Sequence, residues 1–404
     1  MRLVKISLLA ATLVGSCAFA IDNVKVDGDA KFIYSTNDGV DNGPLFRKEN
    51  AVGEGGLCVS PAVTADLTEG VTAGTTLYAV STLGLYNNLA TSTWTGGKTD
   101  AFWFGEAWIA GTVGNTTGKI GRMSLDTPLV FTETWAIAPN TFEAAVLVNT
   151  DITDTALVGA YIGESNDGII GGGITDLPVN SLYSTFYQGV YAAGAVNNSW
   201  QPLTLQAWYF QAQSLLNAYW LQADLALDFG LSAGVQFTGM NYTAAGAEAL
   251  AGGTEKSDNT AFSAMVAYEM KEIFSIYGAF SQTGKDDKNT LGAGTNLAGT
   301  QSKLYTEAWW NYGYVGRNDT TAFTMSATTP EELTWAKLGI YATSTTSKDG
   351  VGAGTDTKMK EVTLEAAKSF APLDVGLYYI FADATDQNEG TSYNVVEVSL
   401  DYSF

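Results

Sequence analysis

The sequence predicts an all-β fold: a transmembrane antiparallel β-barrel of about 18 strands, with 16 as the next choice and one long loop folded inward. Three observations predict it. Apolar and polar residues alternate with period two along most of the chain. No apolar stretch after residue 20 reaches the ~20 residues of a spanning helix. The chain ends in an amphipathic strand closed by Phe404.

Residues 1–20 read as a secretory signal. Arg2 and Lys5 supply a positive start, Ile6 to Gly15 a short and mostly apolar run, and Ala18-Phe19-Ala20 an A-x-A cleavage site. Val14-Gly15-Ser16-Cys17 loosely resembles a lipoprotein cleavage box and is the rival reading. Cleavage after Ala20 leaves 384 residues, read as a single barrel domain over 21–404, with Cys58 the one remaining cysteine. One cysteine cannot form an internal disulfide.

Within 21–404 the alternation recurs strand by strand. Tyr219, Leu221, Ala223, Leu225 and Leu227 oppose Trp220, Gln222, Asp224 and Ala226. After a tight turn, Leu231, Ala233, Val235 and Phe237 oppose Ser232, Gly234, Gln236 and Thr238. Phe262 to Met270 and Val362 to Ala366 repeat the pattern, with Glu269, Glu361 and Glu365 on the polar face. In the last strand Val396, Val398, Leu400, Tyr402 and Phe404 share one face, and Glu397, Ser399, Asp401 and Ser403 the other. Such a strand suits lipid on one side and water on the other, and Phe404 with Tyr402 forms the expected assembly signal.

Short and long connections also alternate. Short ones fall near 67–70, 114–118, 152–154, 197–200, 228–230, 270–272 and 369–374. Long Gly/Asn/Asp/Thr-rich ones fall near 35–54, 82–100, 124–142, 164–186, 242–259, 282–303 and 344–358. This segmentation yields 19 candidate strands. The surplus one lies within 304–343, where Tyr305–Gly316, Thr320–Ala327 and Leu333–Thr343 compete.

Composition narrows the function. The chain has 42 acidic and 20 basic residues, and only 15% of all residues are charged. Without Arg2 and Lys5 the net charge is near −24, which argues against a nucleic-acid partner. Lipid-facing charge is costly, so this charge belongs in loops, turns and lumen, and an acidic water-filled channel favours cations. There is no histidine, which removes His-based catalysis and the usual zinc sites. No phosphate-binding loop and no nucleophile elbow occur, so no enzyme and no cofactor are expected. A divalent cation bridging lumen carboxylates stays open.

The segment 119–151 carries the constriction candidates. Its long loop interleaves apolar and acidic residues, a poor pattern for a solvent-facing loop and a suitable one for a loop folded into the barrel mouth. Arg122, Asp126, Glu133, Trp135 and Glu143 are its candidate site residues. If lipid takes the apolar faces, parity points Asp224, Glu269, Lys337, Glu361, Glu365, Glu397 and Asp401 into the lumen. Glu106 shares a face with Phe104 and Trp108, so its direction is ambiguous. If it points inward, Trp103, Gly105, Ala107, Ile109 and Gly111 face out and form a candidate trimer contact.

Several segments together span the mature chain and carry a resemblance: Phe104-Gly105-Glu106-Ala107-Trp108-Ile109-Ala110-Gly111, Lys119 to Val130, Pro139-Asn140-Thr141-Phe142-Glu143, Tyr219-Trp220-Leu221-Gln222-Ala223-Asp224, Glu307-Ala308-Trp309-Trp310-Asn311-Tyr312-Gly313, and the last 45 residues. The chain resembles the major outer membrane porins of Campylobacter and related epsilonproteobacteria. The resemblance implies an 18-stranded channel, commonly a homotrimer, passing ions and small hydrophilic solutes past an inward constriction loop. That family is similar in wall architecture to the basic-amino-acid channels of pseudomonads, which carry an arginine before the proline of the constriction loop. Here Trp135-Ala136-Ile137-Ala138 precedes Pro139, so selectivity for carboxylated amino acids is not implied. The expected function is a cation-preferring general diffusion porin in the outer membrane of a Gram-negative cell. A substrate-specific channel is the second reading and a plugged structural or adhesive barrel the third. Expected partners are membrane lipid, lipopolysaccharide, the barrel assembly machinery and further copies of the chain.

Overall fold

Eighteen antiparallel strands close into one barrel. The computed structural model describes residues 22–39, 43–47, 53–93, 100–166, 183–250, 255–285, 292–348 and 356–404. Residues 1–20, read from the sequence as a signal, lie outside the described residues. The strands are β1 (Asp22–Asn37), β2 (Glu54–Thr68), β3 (Val71–Ser81), β4 (Ala101–Val113), β5 (Thr116–Met123), β6 (Phe142–Asn149), β7 (Thr155–Ser165), β8 (Ser184–Trp200), β9 (Leu203–Ala212), β10 (Leu216–Ala226), β11 (Leu231–Tyr242), β12 (Ser257–Met270), β13 (Phe274–Thr283), β14 (Thr320–Thr329), β15 (Lys337–Ser347), β16 (Thr357–Ser369), β17 (Leu373–Ala384) and β18 (Tyr393–Ser403).

Each strand pairs with its sequence neighbours, and β1 pairs with β18 from Asp29↔Ser403 to Asn37↔Val395. Closure leaves no sheet edge, which is the condition for a β-structure to cross lipid. The outward face is apolar and open: Leu221, Phe237, Phe323, Met325, Leu338 and Leu364 are each more than 40% exposed. In water that band would be an aggregation surface; against acyl chains it is buried.

The closing seam ends where the sequence places the assembly signal. Phe404 and Gly28 exchange backbone hydrogen bonds of 2.9 Å in both directions, and the Tyr402 and Phe404 rings stack at 6.4 Å. Gly28 has no room for a side chain, since a Cβ there would lie 2.7 Å from Ser60 O and 2.9 Å from the Phe404 ring.

The structure corrects three expectations. Thr320–Thr329 and Lys337–Ser347 are β14 and β15, whereas Tyr305–Gly316 is not a strand and lies in a long loop over 284–319. This removes the nineteenth candidate, and sixteen strands are too few. The long-and-short alternation fails once, because Gln213 to Leu215 alone joins β9 to β10 on the long-loop rim. Trp103 points inward, not outward, and is 2% exposed, while Phe102 and Phe104 face out. The cause is a bulge: Thr76 pairs with Glu106 but Leu77 pairs with Phe104, so Gly105 is an extra residue and parity flips across it. The same bulge sends Glu106 inward and leaves Ile109 outside, 43% exposed.

Substituting Phe404→Ser removes the ring from the closing seam while leaving the lumen untouched. The expected outcome is a lower yield of heat-modifiable folded barrel, with normal single-channel conductance in the fraction that folds. Semi-native gel mobility and planar-bilayer recording check both halves.

Candidate constriction and solute path

Two loops fill the barrel mouth. The first, 124–141, joins β5 to β6; the second, 284–319, joins β13 to β14. Leu125, Leu129 and Val130 of the first pack with Leu297, Ala298 and Leu304 of the second against lumen-facing Met123, Phe142, Phe210 and Trp220. On the opposite side Ile137 and Ala138 pack on Ile33, Cys58, Tyr78, Val80 and Trp103 of β1 to β4. The first loop therefore crosses the lumen from wall to wall, and the second backs it.

Buried polar contacts join the two loops. Glu133 is 1% exposed. Its Oε1 accepts from Gln301 N at 2.6 Å and Asn296 Nδ2 at 3.0 Å, and its Oε2 accepts from Trp135 Nε1 at 2.7 Å. Asn296 copies a strand partner: its Nδ2 donates to Phe131 O at 2.9 Å and its Oδ1 accepts from Phe131 N at 3.2 Å. Leu297 N donates to Leu129 O at 2.9 Å. Gly299 sits against the carboxylate, where a Cβ would come within 2.2 Å of Glu133 Oε1. A buried carboxylate persists only when its acceptor sites are filled, and here both oxygens have donors.

The walls hold both loops. Glu106 Oε1 accepts from Ser124 N at 3.0 Å and Ser124 Oγ at 2.6 Å. Lys31 of β1 donates from Nζ to Thr134 O at 2.9 Å and Ala136 O at 3.0 Å. Glu361 of β16, 2% exposed, accepts from Trp310 N, Asn311 N and Asn311 Nδ2 at 2.7–2.8 Å. Tyr305 donates its hydroxyl to Asp224, while its carbonyl accepts from Tyr277 Oη at 2.5 Å. Tyr314 Oη and Arg317 Nη1 both donate to Asp386, at 2.6 and 2.7 Å.

These features can be set beside known proteins. The profile of the outer membrane porin, OprD family, matches residues 87–313, more than half of the chain. The chain belongs to the OprD family. Solved structures agree on the fold. Acinetobacter baumannii OccAB1 is 15% identical with a TM-score of 0.74, covering 96% of this chain and 98% of that one. Pseudomonas aeruginosa OpdK with vanillate is 12% identical with a TM-score of 0.72, covering 95% and 99%. Pseudomonas aeruginosa OccK2 (OpdF) in complex with glucuronate is 14% identical with a TM-score of 0.70, covering 95% and 98%. No curated protein sequence matches the chain. OprD-family barrels reside in the outer membrane of Gram-negative cells, and this is the location of the chain.

In this OprD-family barrel the sequence-predicted residues divide into four groups. Asp224, Lys337, Glu365, Glu397 and Asp401 lie on inward strand positions, and Asp126 lies in the first loop. Asp126 is exposed and pairs with Lys303 of the second loop. Glu365 accepts from Lys337 Nζ, 3.0 Å from its Oε2, and from Tyr341 Oη at 2.6 Å. Glu133 and Glu361 are buried acceptors that fasten loops: Glu133 takes one backbone and two side-chain donors, and Glu361 two backbone donors and the Asn311 amide. Trp135 is half-buried beside them, its ring 5.4 Å from that of Tyr312. Arg122 and Glu143 are also relocated. They are wall residues directly opposed at the roots of the first loop, 2.6 Å apart, with Arg122 stacked on Tyr183. Glu269 has inward parity but stands exposed at the short-turn end of β12.

Sequence reasoning read 282–303 as a long connection but not as an inward loop, and so missed Asn296 and Glu307; it also missed the Lys31 tether of the first loop. Glu307 accepts from Ala308 N at 2.9 Å, from Gly313 N at 3.1 Å, and from Ser302 N. Burial pushes its carboxyl up to about 8, against these three N–H donors that favour the ionised form. One signal existed: Glu307-Ala308-Trp309-Trp310-Asn311-Tyr312-Gly313 lacks strand alternation and places an acid beside three aromatics.

Two predictions follow from this geometry. Glu133→Ala removes the acceptor shared by Gln301 N, Asn296 Nδ2 and Trp135 Nε1, at roughly 1–3 kcal/mol for a buried donor left unsatisfied, while Asn296 keeps Phe131 O. The loops should separate within an intact barrel, read as larger and noisier open-state current with unchanged heat modifiability. For Glu307 the folded-state pKa is raised, so its stabilising contribution is full below about 4.5 and is lost as pH rises through about 8. Protease sensitivity of the second loop should increase across that window in the natural protein and stay flat in Glu307→Gln.

Proposed function

We propose that the chain is a substrate-selective outer-membrane channel for small hydrophilic solutes, with a preference for cations, and not a general diffusion pore. The observation that carries this reading is the lock between the two loops at Glu133 and Asn296. A pore narrowed by a fixed pair of loops presents each solute with the same side chains at close range, which is how a site discriminates. The solved relatives with vanillate and glucuronate support the reading, since each was captured with a defined small solute.

The cation preference follows from how the charges are used. Lys337 is paired with Glu365, Lys303 with Asp126 and Arg317 with Asp386, and Lys31 is engaged by loop carbonyls. Asp224, Glu397 and Asp401 add negative charge with no cation in ion-pair contact among the described residues. Fixed charge of one sign along a narrow aqueous path raises the local concentration of the opposite ion. Among the described residues no three metal-ligating side chains converge, so a bridging divalent cation forms no part of the proposal.

Two finer readings belong here. The likeness to the Campylobacter-type porins is the first, carried by the segments named in the sequence analysis alone. Assembly as a homotrimer would use outward Ala107, Ile109 and Gly111 of β4. Lipid, lipopolysaccharide and the assembly machinery are the partners that this reading expects.

Planar-bilayer recording tests the proposal. In a gradient of dilute salt, roughly 0.01–0.1 M, where the Debye length matches a narrow pore, the reversal potential should have cationic sign and should shrink towards 1 M. One class of small solute should block the ion current saturably. Current that falls linearly with every solute tested would return the chain to the general-porin reading, and absence of conductance would favour the plugged barrel.

A further inference from the structure

Lys31 makes an unexpected choice of partner. On the β1–β18 seam it lies directly opposite Asp401, the arrangement in which a lysine and an aspartate on neighbouring strands ordinarily pair. No ion pair forms between them. The Lys31 ammonium reaches instead to Thr134 O and Ala136 O, on the segment of the first loop that crosses the lumen. Asp401 Oδ1 is left buried with no hydrogen-bond partner. Glu397, further along the same inward face of β18, is 9% exposed and has no hydrogen-bond or ion-pair partner among the described residues. An ammonium between neutral carbonyls on one side and ionisable carboxylates on the other has two sets of acceptors and can satisfy one at a time.

The loop needs this tether. Thr134 is the exposed residue of the crossing segment, flanked by buried Glu133 and half-buried Trp135. Among the described residues no other wall side chain donates to Thr134 O or Ala136 O, whereas the preceding stretch is fixed by Asn296 and Glu133. Glu106 fixes the start of the loop at Ser124, and Lys31 supplies the wall hydrogen bonds of the crossing segment.

We propose that Lys31 is a positioning residue for the constriction, a latch that exchanges between the loop carbonyls and Asp401. On the carbonyls it holds the crossing segment against β1. On Asp401 it releases that segment and changes the free cross-section of the path. Glu397 adds to the pull of Asp401. The two positions differ only in the acceptors of one flexible side chain, so exchange needs no change in strand register. This proposal rests on the channel reading above.

Single-channel recording of the full chain tests it with Lys31→Met, Lys31→Arg and Asp401→Asn. The latch predicts two open levels in the natural protein and effects of opposite sign in the variants. Lys31→Met should abolish the exchange and leave only the unlatched level. Asp401→Asn should lengthen dwells in the latched level by about tenfold, the scale of one charge-assisted hydrogen bond. Lys31→Arg keeps the charge and the donors and should restore both levels. A merely structural lysine would make both substitutions noisier in the same direction. Unchanged levels and dwell times in folded Lys31→Met, or in Asp401→Asn should Lys31→Met fail to fold, would overturn the latch. No conductance from the natural protein would instead overturn the channel reading.

Discussion

The interior of this barrel depends on one buried carboxylate. Glu133 takes three donors, from its own loop through Trp135 and from the second loop through Asn296 and Gln301. A charge in that position is costly unless its acceptor sites are filled, and breaking such a set leaves the remaining groups unpaired. The requirement runs outward. Gly299 must lack a side chain for the second loop to approach, and Asn140 Oδ1 accepts from Glu133 N at 2.6 Å to fix the backbone that carries the carboxylate. The two loops therefore behave as one body, held at its margins by Lys31, Glu106 and Glu361.

The wall imposes a different constraint. Lipid offers no hydrogen bonds, so every strand must be paired and every outward side chain must be apolar or small. This rule is strict and local, and it is why the outer architecture was legible in the sequence. The period-two faces around Leu221, Phe262, Leu364 and the terminal strand all emerge where alternation places them. Legibility failed where the rule is relaxed. The bulge at Gly105 shifts parity within one strand, and the glycine itself gives no warning of it. The three-residue joint between β9 and β10 breaks the rhythm of connections.

The lumen was far less legible, for a physical reason. Inside the barrel a residue is chosen for what it meets across space, and its partner is often more than a hundred positions away, as Lys31 is from Thr134 or Glu133 from Gln301. No periodicity records such contacts. The interleaved apolar and acidic pattern of 124–142 did identify an inward loop, because only an enclosed loop has use for both residue types. The same logic applies to 305–316, where strand alternation is weak. Its acid, Glu307, takes backbone N–H donors from its own loop, and its aromatics pack: Trp309 on Tyr378 and Tyr312 on Trp135.

Net charge is consequently a poor measure of the field in the pore. The chain carries 42 acidic residues, but several of those nearest the path serve as fasteners. Glu133, Glu307 and Glu361 face N–H donors, and Glu106 holds Ser124. Each donor set disperses part of the charge that an ion would otherwise feel, and burial removes the carboxylate from direct contact with it. Further lumen-side carboxylates lie close to a lysine: Asp126, which is exposed, beside Lys303, and Asp401 with the buried Glu397 near Lys31. The field along the path is therefore set by the position of a few ammonium groups more than by the acid excess. A displacement of one of them by the length of a side chain changes the potential and the geometry of the constriction together. An OprD-family barrel built in this way can couple selectivity to loop position without any change in its wall.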